Sequence, residues 1–231
     1  MKKCVCLLLL LFPVWVSAQK REIVEAASGE DLTKTVSHQM QYLFSEFING
    51  EVHYLGLPKG SGKMNYNMLL GEMQFLENNE VRALANVKNV IVVNIDNRKF
   101  YPYNETEFTE ELLSTNHWQL RVRRRGNVAP NSKKGAYGTS SSTSSITSYS
   151  SINSGNRQYD LKVVDDVLIS LNCFYYLVGS NEKYVQIRNQ KTFTKQFPGH
   201  NAQIEAFVKD HNIQFHNEDD LKALLEYCSK L

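Results

Sequence analysis

Residues Lys63–Val93 read KMNYNMLLGEMQFLENNEVRALANVKNVIVV, and whether this stretch is extended or helical decides the fold. Met64, Tyr66, Met68 and Leu70 alternate with Asn65, Asn67 and Leu69, the period-two pattern of a half-buried strand. Beyond Gly71 the apolar set, Met73 and Phe75, continues one residue out of step, which predicts a β-bulge at the glycine. Tyr66, Leu69, Leu70, Met73 and Leu76 also fall at helical spacing. The strand reading is preferred because Glu77-Asn78-Asn79-Glu80 is a turn cluster, and the segments after it, Val81–Ala85 and Val90–Ile95, are short and β-branched. Lys63–Val93 is therefore expected to form the central strands of an antiparallel meander or sandwich.

Outward toward the N-terminus, Val36–Tyr54 carries apolar even positions (Met40, Tyr42, Phe44, Ile48, Val52, Tyr54), interrupted at Asn49-Gly50, a hairpin-type dipeptide. A helix over Leu32–Phe47 is the competing reading. Lys20–Lys34 is polar and expected to be loose. Met1–Gln19 has two lysines, an apolar run from Val5 to Val16, and the small-residue pattern Val16-Ser17-Ala18. That is the layout of a secretory signal peptide spanning residues 1–18, and the run is short for a membrane span. Cys4 and Cys6 precede or lie within the run, so no lipid-anchor cysteine stands at the expected cleavage point.

Loss of Lys2 and Lys3 with the signal leaves 24 basic against 24 acidic residues. Overall charge then argues for neither a nucleic-acid nor a membrane partner. Cys173 and Cys228 are the cysteines left, and in an oxidising compartment they form either one disulfide or two buried thiols. Gly60-Ser61-Gly62-Lys63 lacks the earlier glycine and the following Ser or Thr of a phosphate-binding loop, and reads as a flexible turn.

Toward the C-terminus, Arg98–Tyr103 reads as a strand end, and Trp118, Leu120 and Val122 alternate with Gln119, Arg121 and Arg123 as an edge strand or one with a single exposed face. Arg121, Arg123, Arg124, Arg125, Lys133 and Lys134 form a basic patch. A solvated edge balanced by Glu105, Glu107, Glu110 and Glu111 accounts for it better than a nucleic-acid site, because the interleaved aromatics of a single-strand binder are sparse. Residues 131–158 are dominated by Ser, Thr and Gly and are expected to be a low-complexity, disordered insertion. Val163–Val178, a turn at Gly179–Glu182 and Tyr184–Arg188 form a second hairpin. Residues 190–231 change to helical period, with two short helices, the second capped by Asn217.

The expected architecture is α+β: a flexible stretch at 19–35, then one β-rich domain over 36–231 closed by C-terminal helices. No HExxH, GxSxG or Cys/His signature occurs. His211, His216 and Asp219 are the best candidates for metal ligands, but a loop with solvated imidazoles and a helix N-terminus that favours acids accounts for them better. Asp165-Asp166 is a paired carboxylate whose side chains point to opposite faces of a strand. Tyr54, Tyr101, Tyr103 and Trp118 are the candidate binding aromatics. No cofactor is expected.

Ser17-Ala18-Gln19, Met64-Asn65-Tyr66-Asn67, Gly71-Glu72-Met73-Gln74-Phe75, Gly135-Ala136-Tyr137-Gly138 and Leu225-Glu226-Tyr227-Cys228 together resemble a group of exported bacterial proteins to which no function is assigned. The resemblance implies export to the periplasm, the cell surface or the medium, and brings no reaction with it. The resulting expectation is a non-enzymatic exported protein that binds a macromolecule or a glycan. The alternative is a metal-dependent hydrolase with a site assembled from remote His and Asp residues.

Overall fold

A computed structural model describes residues 20–24, 35–130 and 167–231. Among them eleven strands form one antiparallel sheet. They are β1 (Arg21–Val24), β2 (Ile48–Tyr54), β3 (Gly60–Asn67), β4 (Glu72–Glu77), β5 (Glu80–Ala83), β6 (Val90–Ile95), β7 (Arg98–Pro102), β8 (Phe108–Ser114), β9 (Trp118–Pro130), β10 (Val167–Gly179) and β11 (Tyr184–Ile187). A short helix α1 (His38–Gln41) precedes β2, and α2 (Gln190–Thr194), α3 (Asn201–Asp210) and α4 (Glu218–Cys228) follow β11. The spatial order is β1-β10-β9-β8-β7-β6-β2-β3-β4-β5. On the outer edge of β10, β1 pairs along Val167–Ser170 and β11 along Tyr175–Val178.

The deciding stretch is extended, as its alternation requires, but Gly71 is not a bulge. Met68–Gly71 is the turn between β3 and β4, with Gly71 at φ +70°, a backbone region that glycine enters without a Cβ penalty. The parity shift is the reversal of the chain. The turn is buried because the sheet curls back on itself: Phe108 N–H donates to Gly71 O at 2.8 Å and Gly126 N–H to Leu69 O at 2.9 Å. Along the sheet, β4 and β8 are otherwise separated by four strands. Met68, Leu69 and Leu70 are buried and seal the junction, so Leu69 and Leu70, which also fall at helical spacing, are apolar because the turn itself is covered. The Glu77–Glu80 turn forms as expected, with Asn78 and Asn79 at positive φ in a two-residue hairpin.

Four other expectations are corrected. Asn49-Gly50 is not a turn but lies inside β2, paired with β3 and β6. A Cβ on Gly50 would lie 2.9 Å from Asn94 O, so the glycine admits close strand approach instead of a reversal. Gly60–Lys63 is the first half of β3, not a flexible turn. Part of the N-terminal stretch expected to be loose, Arg21–Val24, is β1. Of the helix weighed over Leu32–Phe47, the described residues include α1, its Ser37 cap accepting from Met40 N–H at 3.3 Å, and the chain leaves the helix at Tyr42. The low-complexity stretch 131–158, Lys133, Lys134 and Asp165-Asp166 lie outside the described residues.

The basic strand is the largest departure. β9 is interior, paired along β8 and along all of β10, and Arg121 and Arg124 are buried. Leu120, Val122 and Arg124 share one face of the strand, and Arg121, Arg123 and Arg125 the other. The first face covers two cores. Val167, Ile169 and Leu171 of β10 belong to the core inside the curl, with Tyr66, Phe100 and Phe108. Tyr175 and Leu177 belong to a second core with Leu120, Val122, Phe193, Ile204, Leu221, Leu224 and Leu225, under the C-terminal helices. At the boundary, Arg124 opposes Cys173 and ion-pairs with Glu110, which also holds Arg98. Burial works against the charge on Arg124, and the neighbouring Glu110 carries its pKa above the ordinary guanidinium value nonetheless.

The helices close the second core. Asn217 caps α4, accepting from Asp219 and Asp220 N–H, and Leu221, Leu224, Leu225 and Cys228 face inward as their spacing predicts. The short α2, with its capping box between Asn189 and Thr192, adds a third helix to the two expected. Among the described residues no helix is long and apolar enough to cross a membrane.

Candidate binding groove

On the other face of β9, arginines and aromatic rings interleave. The Arg121 guanidinium lies 3.8 Å from the centroid of Tyr101 and 5.4 Å from that of Tyr184. Arg123 lies between Tyr103 and Phe174 at 4.7 and 4.8 Å. Planar, weakly hydrated guanidinium groups suit such stacking. Glu107 pairs with Arg123 at 2.7 Å and also with Arg125. Tyr103, Tyr176 and Tyr184 pack edge to face or tilted, with centroids 5.3 to 5.6 Å apart. Burial, and then the charge of Glu111, which accepts its hydroxyl at 3.1 Å, hold the Tyr101 phenol above the usual range.

This layer ends at a groove of about 550 Å³ where β9 begins and β10 turns into β11. Trp118 lines it. The tight link from β8 fixes the residue: Thr115 Oγ1 accepts from Trp118 N–H at 3.1 Å and donates to Trp118 O at 2.9 Å. Gly179, directly across the ladder, leaves room for the indole, since a Cβ there would lie 3.2 Å from Cζ3. Phe197 packs beside it at 5.8 Å. Asn181, Lys183, Tyr184, Gln186 and Gln196 complete the wall. Tyr184 is held by Arg121 Nη1, which donates to its hydroxyl at 2.6 Å, and donates in turn to Pro102 O at 3.3 Å.

The hydrogen-bonding capacity of the wall is one-sided. Asn181 Oδ1 is taken by Lys183 N–H at 3.1 Å, and Gln186 Oε1 by Arg188. The Asn181 and Gln186 amide nitrogens, the Trp118 indole N–H and the Gln196 amide meet no hydrogen-bond partner among the described residues. The groove thus offers an aromatic surface, several free donors and the Lys183 ammonium, with no carboxylate in its lining.

Of the four aromatics singled out from the sequence, Trp118 lines the groove. Tyr101 and Tyr103 reach it only through Arg121 and Tyr184, and all three are half-buried. Tyr54 is apart, packed against the first core beside Gly60. Tyr184, Asn181, Lys183, Gln186 and Gln196 carry no sequence signal of their own. A tyrosine starting a strand and an asparagine in a turn are ordinary there, and only the fold sets them beside an indole 63 or more residues earlier in the chain.

The candidate metal ligands do not converge among the described residues. His211 stacks on Phe207 at 4.0 Å, with Nδ1 3.1 Å from Phe207 O. His216 lies in the turn before α4, and Asp219 is exposed in its first turn, 3.6 Å from Lys222 Nζ. Among the described residues no group of three or more His, Cys, Asp or Glu side chains is placed to hold a metal ion. Cys173, exposed on β10, and Cys228, buried on α4, are free thiols. Burial pushes the Cys228 thiol up to about 12. No family model matches the chain, and no curated protein or solved structure matches it significantly.

Proposed function

We propose that this chain is an exported protein, non-enzymatic in itself, whose task is to bind a glycan, and that the groove at Trp118 is where it does so. The carrying observation is the pairing of a fixed, half-buried indole with side-chain amide N–H groups that meet no hydrogen-bond partner among the described residues. Sugar rings present C–H faces that stack on aromatic planes and hydroxyls that take amide hydrogen bonds, so the chemistry of the wall matches a saccharide. The signal-like N-terminus supports export, to the periplasm, cell surface or medium.

The two parts are tested separately. For export, the full chain carrying a C-terminal tag is produced in a bacterial host, and the exported product is sequenced from its N-terminus. It should begin at Gln19, and a product retaining Met1 in the cytosol would overturn this part. For binding, the chain from Gln19 has Trp118 as its sole tryptophan, so its fluorescence reports directly on the groove. Titration with a panel of soluble oligosaccharides should change that emission saturably. Retention of full affinity by Trp118→Ala in calorimetry would place the site elsewhere.

A further inference from the structure

We infer that the groove is selective for an acidic saccharide, one bearing a carboxylate such as a hexuronic acid, an inference that rests on the glycan reading above. A neutral sugar hydroxyl both donates and accepts, and would meet a balanced wall. This wall is weighted toward donors. The carbonyl oxygens of Asn181 and Gln186 are already occupied within the fold, while their N–H groups, the Trp118 N–H and Lys183 Nζ meet no acceptor among the described residues, and Gln196 adds one donor group and one acceptor. A carboxylate only accepts, with two oxygens and four lone-pair positions. Hydrogen bonds to it from a cationic or amide donor are of the stronger, charge-assisted kind.

The field behind the wall has the same sign. Arg121 is 8% exposed, yet it has no carboxylate within ion-pair distance among the described residues, and its hydrogen bonds go to Gln119 Oε1 and the Tyr184 hydroxyl. Each of the other arginines of β9, Arg123, Arg124 and Arg125, is paired with Glu107 or Glu110. Buried charges are normally paired. Arg121, by contrast, makes no direct ion pair among the described residues, with Glu111 the carboxylate across the β8–β9 ladder from it, and its hydrogen bond orients the tyrosine that forms the groove wall. An anion in the groove lies on the side of this charge and beside Lys183, which is itself exposed at the rim.

The test uses the chain from Gln19, a hexuronate trisaccharide and the neutral hexose trisaccharide of the same linkage, with binding read from Trp118 emission and by calorimetry. The hexuronate should bind roughly fivefold more tightly, the scale of one partly exposed charge pair, and added salt should erode the difference. Lys183→Gln should bring the two ligands to similar affinity by weakening hexuronate binding several-fold more than neutral binding. Equal affinity of the unmodified protein for both trisaccharides overturns the acidic preference and leaves the glycan reading standing. Binding of neither overturns both. Competition by acetate at the concentrations where the hexuronate binds would show a simple carboxylate site and overturn the saccharide assignment.

Discussion

Arg124, in the middle of β9, donates from Nη2 to Glu218 Oε2 at 3.3 Å, tying the sheet to the first turn of the last helix. The same guanidinium is paired with Glu110, 2% exposed, at the boundary between the two cores. Removing one member of such a buried pair leaves the other charged and desolvated. Glu110→Ala should lower stability by about 3–5 kcal/mol, seen as a fall in the urea midpoint. Glu218→Gln, at the partly exposed end of the network, should cost less than about 1 kcal/mol. Equal costs would mean that the boundary is wetter than the fold implies.

Gly50 and Gly62 stand directly opposite each other in the β2–β3 ladder, but only one is crowded. A Cβ at Gly50 would meet Asn94 O at 2.9 Å and Ile95 Cγ1 at 3.0 Å, whereas at Gly62 nothing lies within 4 Å. Gly50→Ala should therefore destabilise by about 1–3 kcal/mol through forced strand separation. Gly62→Ala should stay within about 0.5 kcal/mol of the parent protein. Thermal melts of the two variants make the comparison.

Tyr66, fully buried, donates its hydroxyl to Phe108 O at 3.0 Å and so joins the β3 side of the curl to β8. Tyr66→Phe keeps the ring and orphans the carbonyl, and should cost about 1–2 kcal/mol with no change of fold. Urea unfolding and near-ultraviolet circular dichroism report the two quantities. An unchanged midpoint would show that the closure rests on the Met68–Gly71 turn alone.

Stability should be lost on the alkaline side. Burial, the first cause in each case, raises the Cys228 thiol and the Tyr66, Tyr175 and Tyr176 phenols above their ordinary values. A group whose folded pKa is raised contributes fully below its unfolded value and loses that contribution as pH climbs through the folded one. For Cys228 the window runs from 9.0 to about 12, and the phenols add to the decline from 10.0 upward. The urea midpoint should fall steadily with pH inside that window, and Cys228→Ala should flatten its lower part. A midpoint independent of pH there would contradict the burial of these groups.

The two thiols should behave differently toward an aromatic disulfide reagent. Cys173 is exposed and Cys228 buried, so one thiol should react promptly in the folded protein and the second only on unfolding. If neither reacts before or after denaturation without reductant, the two are joined as a disulfide.

The sequence by itself determined the strands and where most of them turn. Alternation at Met64, Tyr66 and Met73, paired asparagines at Asn78-Asn79, and the capped run from Asn217 to Cys228 are local signals, legible because strand pleat, positive φ and helix capping act over a few residues. It also marked Trp118 as a candidate and set glutamates near the basic patch, two of which, Glu107 and Glu110, pair with Arg123, Arg124 and Arg125. Only the tertiary structure decided that Gly50 lies within a strand, that Gly71 sits in a buried turn, and that β9 is interior. Each depends on a partner distant in the chain: Asn94 for Gly50, Phe108 for Gly71, and the whole of β10 for β9. The groove is of the same kind, since Trp118, Asn181 and Gln196 carry no shared local pattern and become neighbours when β9, β10 and β11 pair and α2 packs beneath them. Composition can show which charges a chain carries, but only the pairing of strands decides which of them are buried, and which, like Arg121, make no direct ion pair among the described residues.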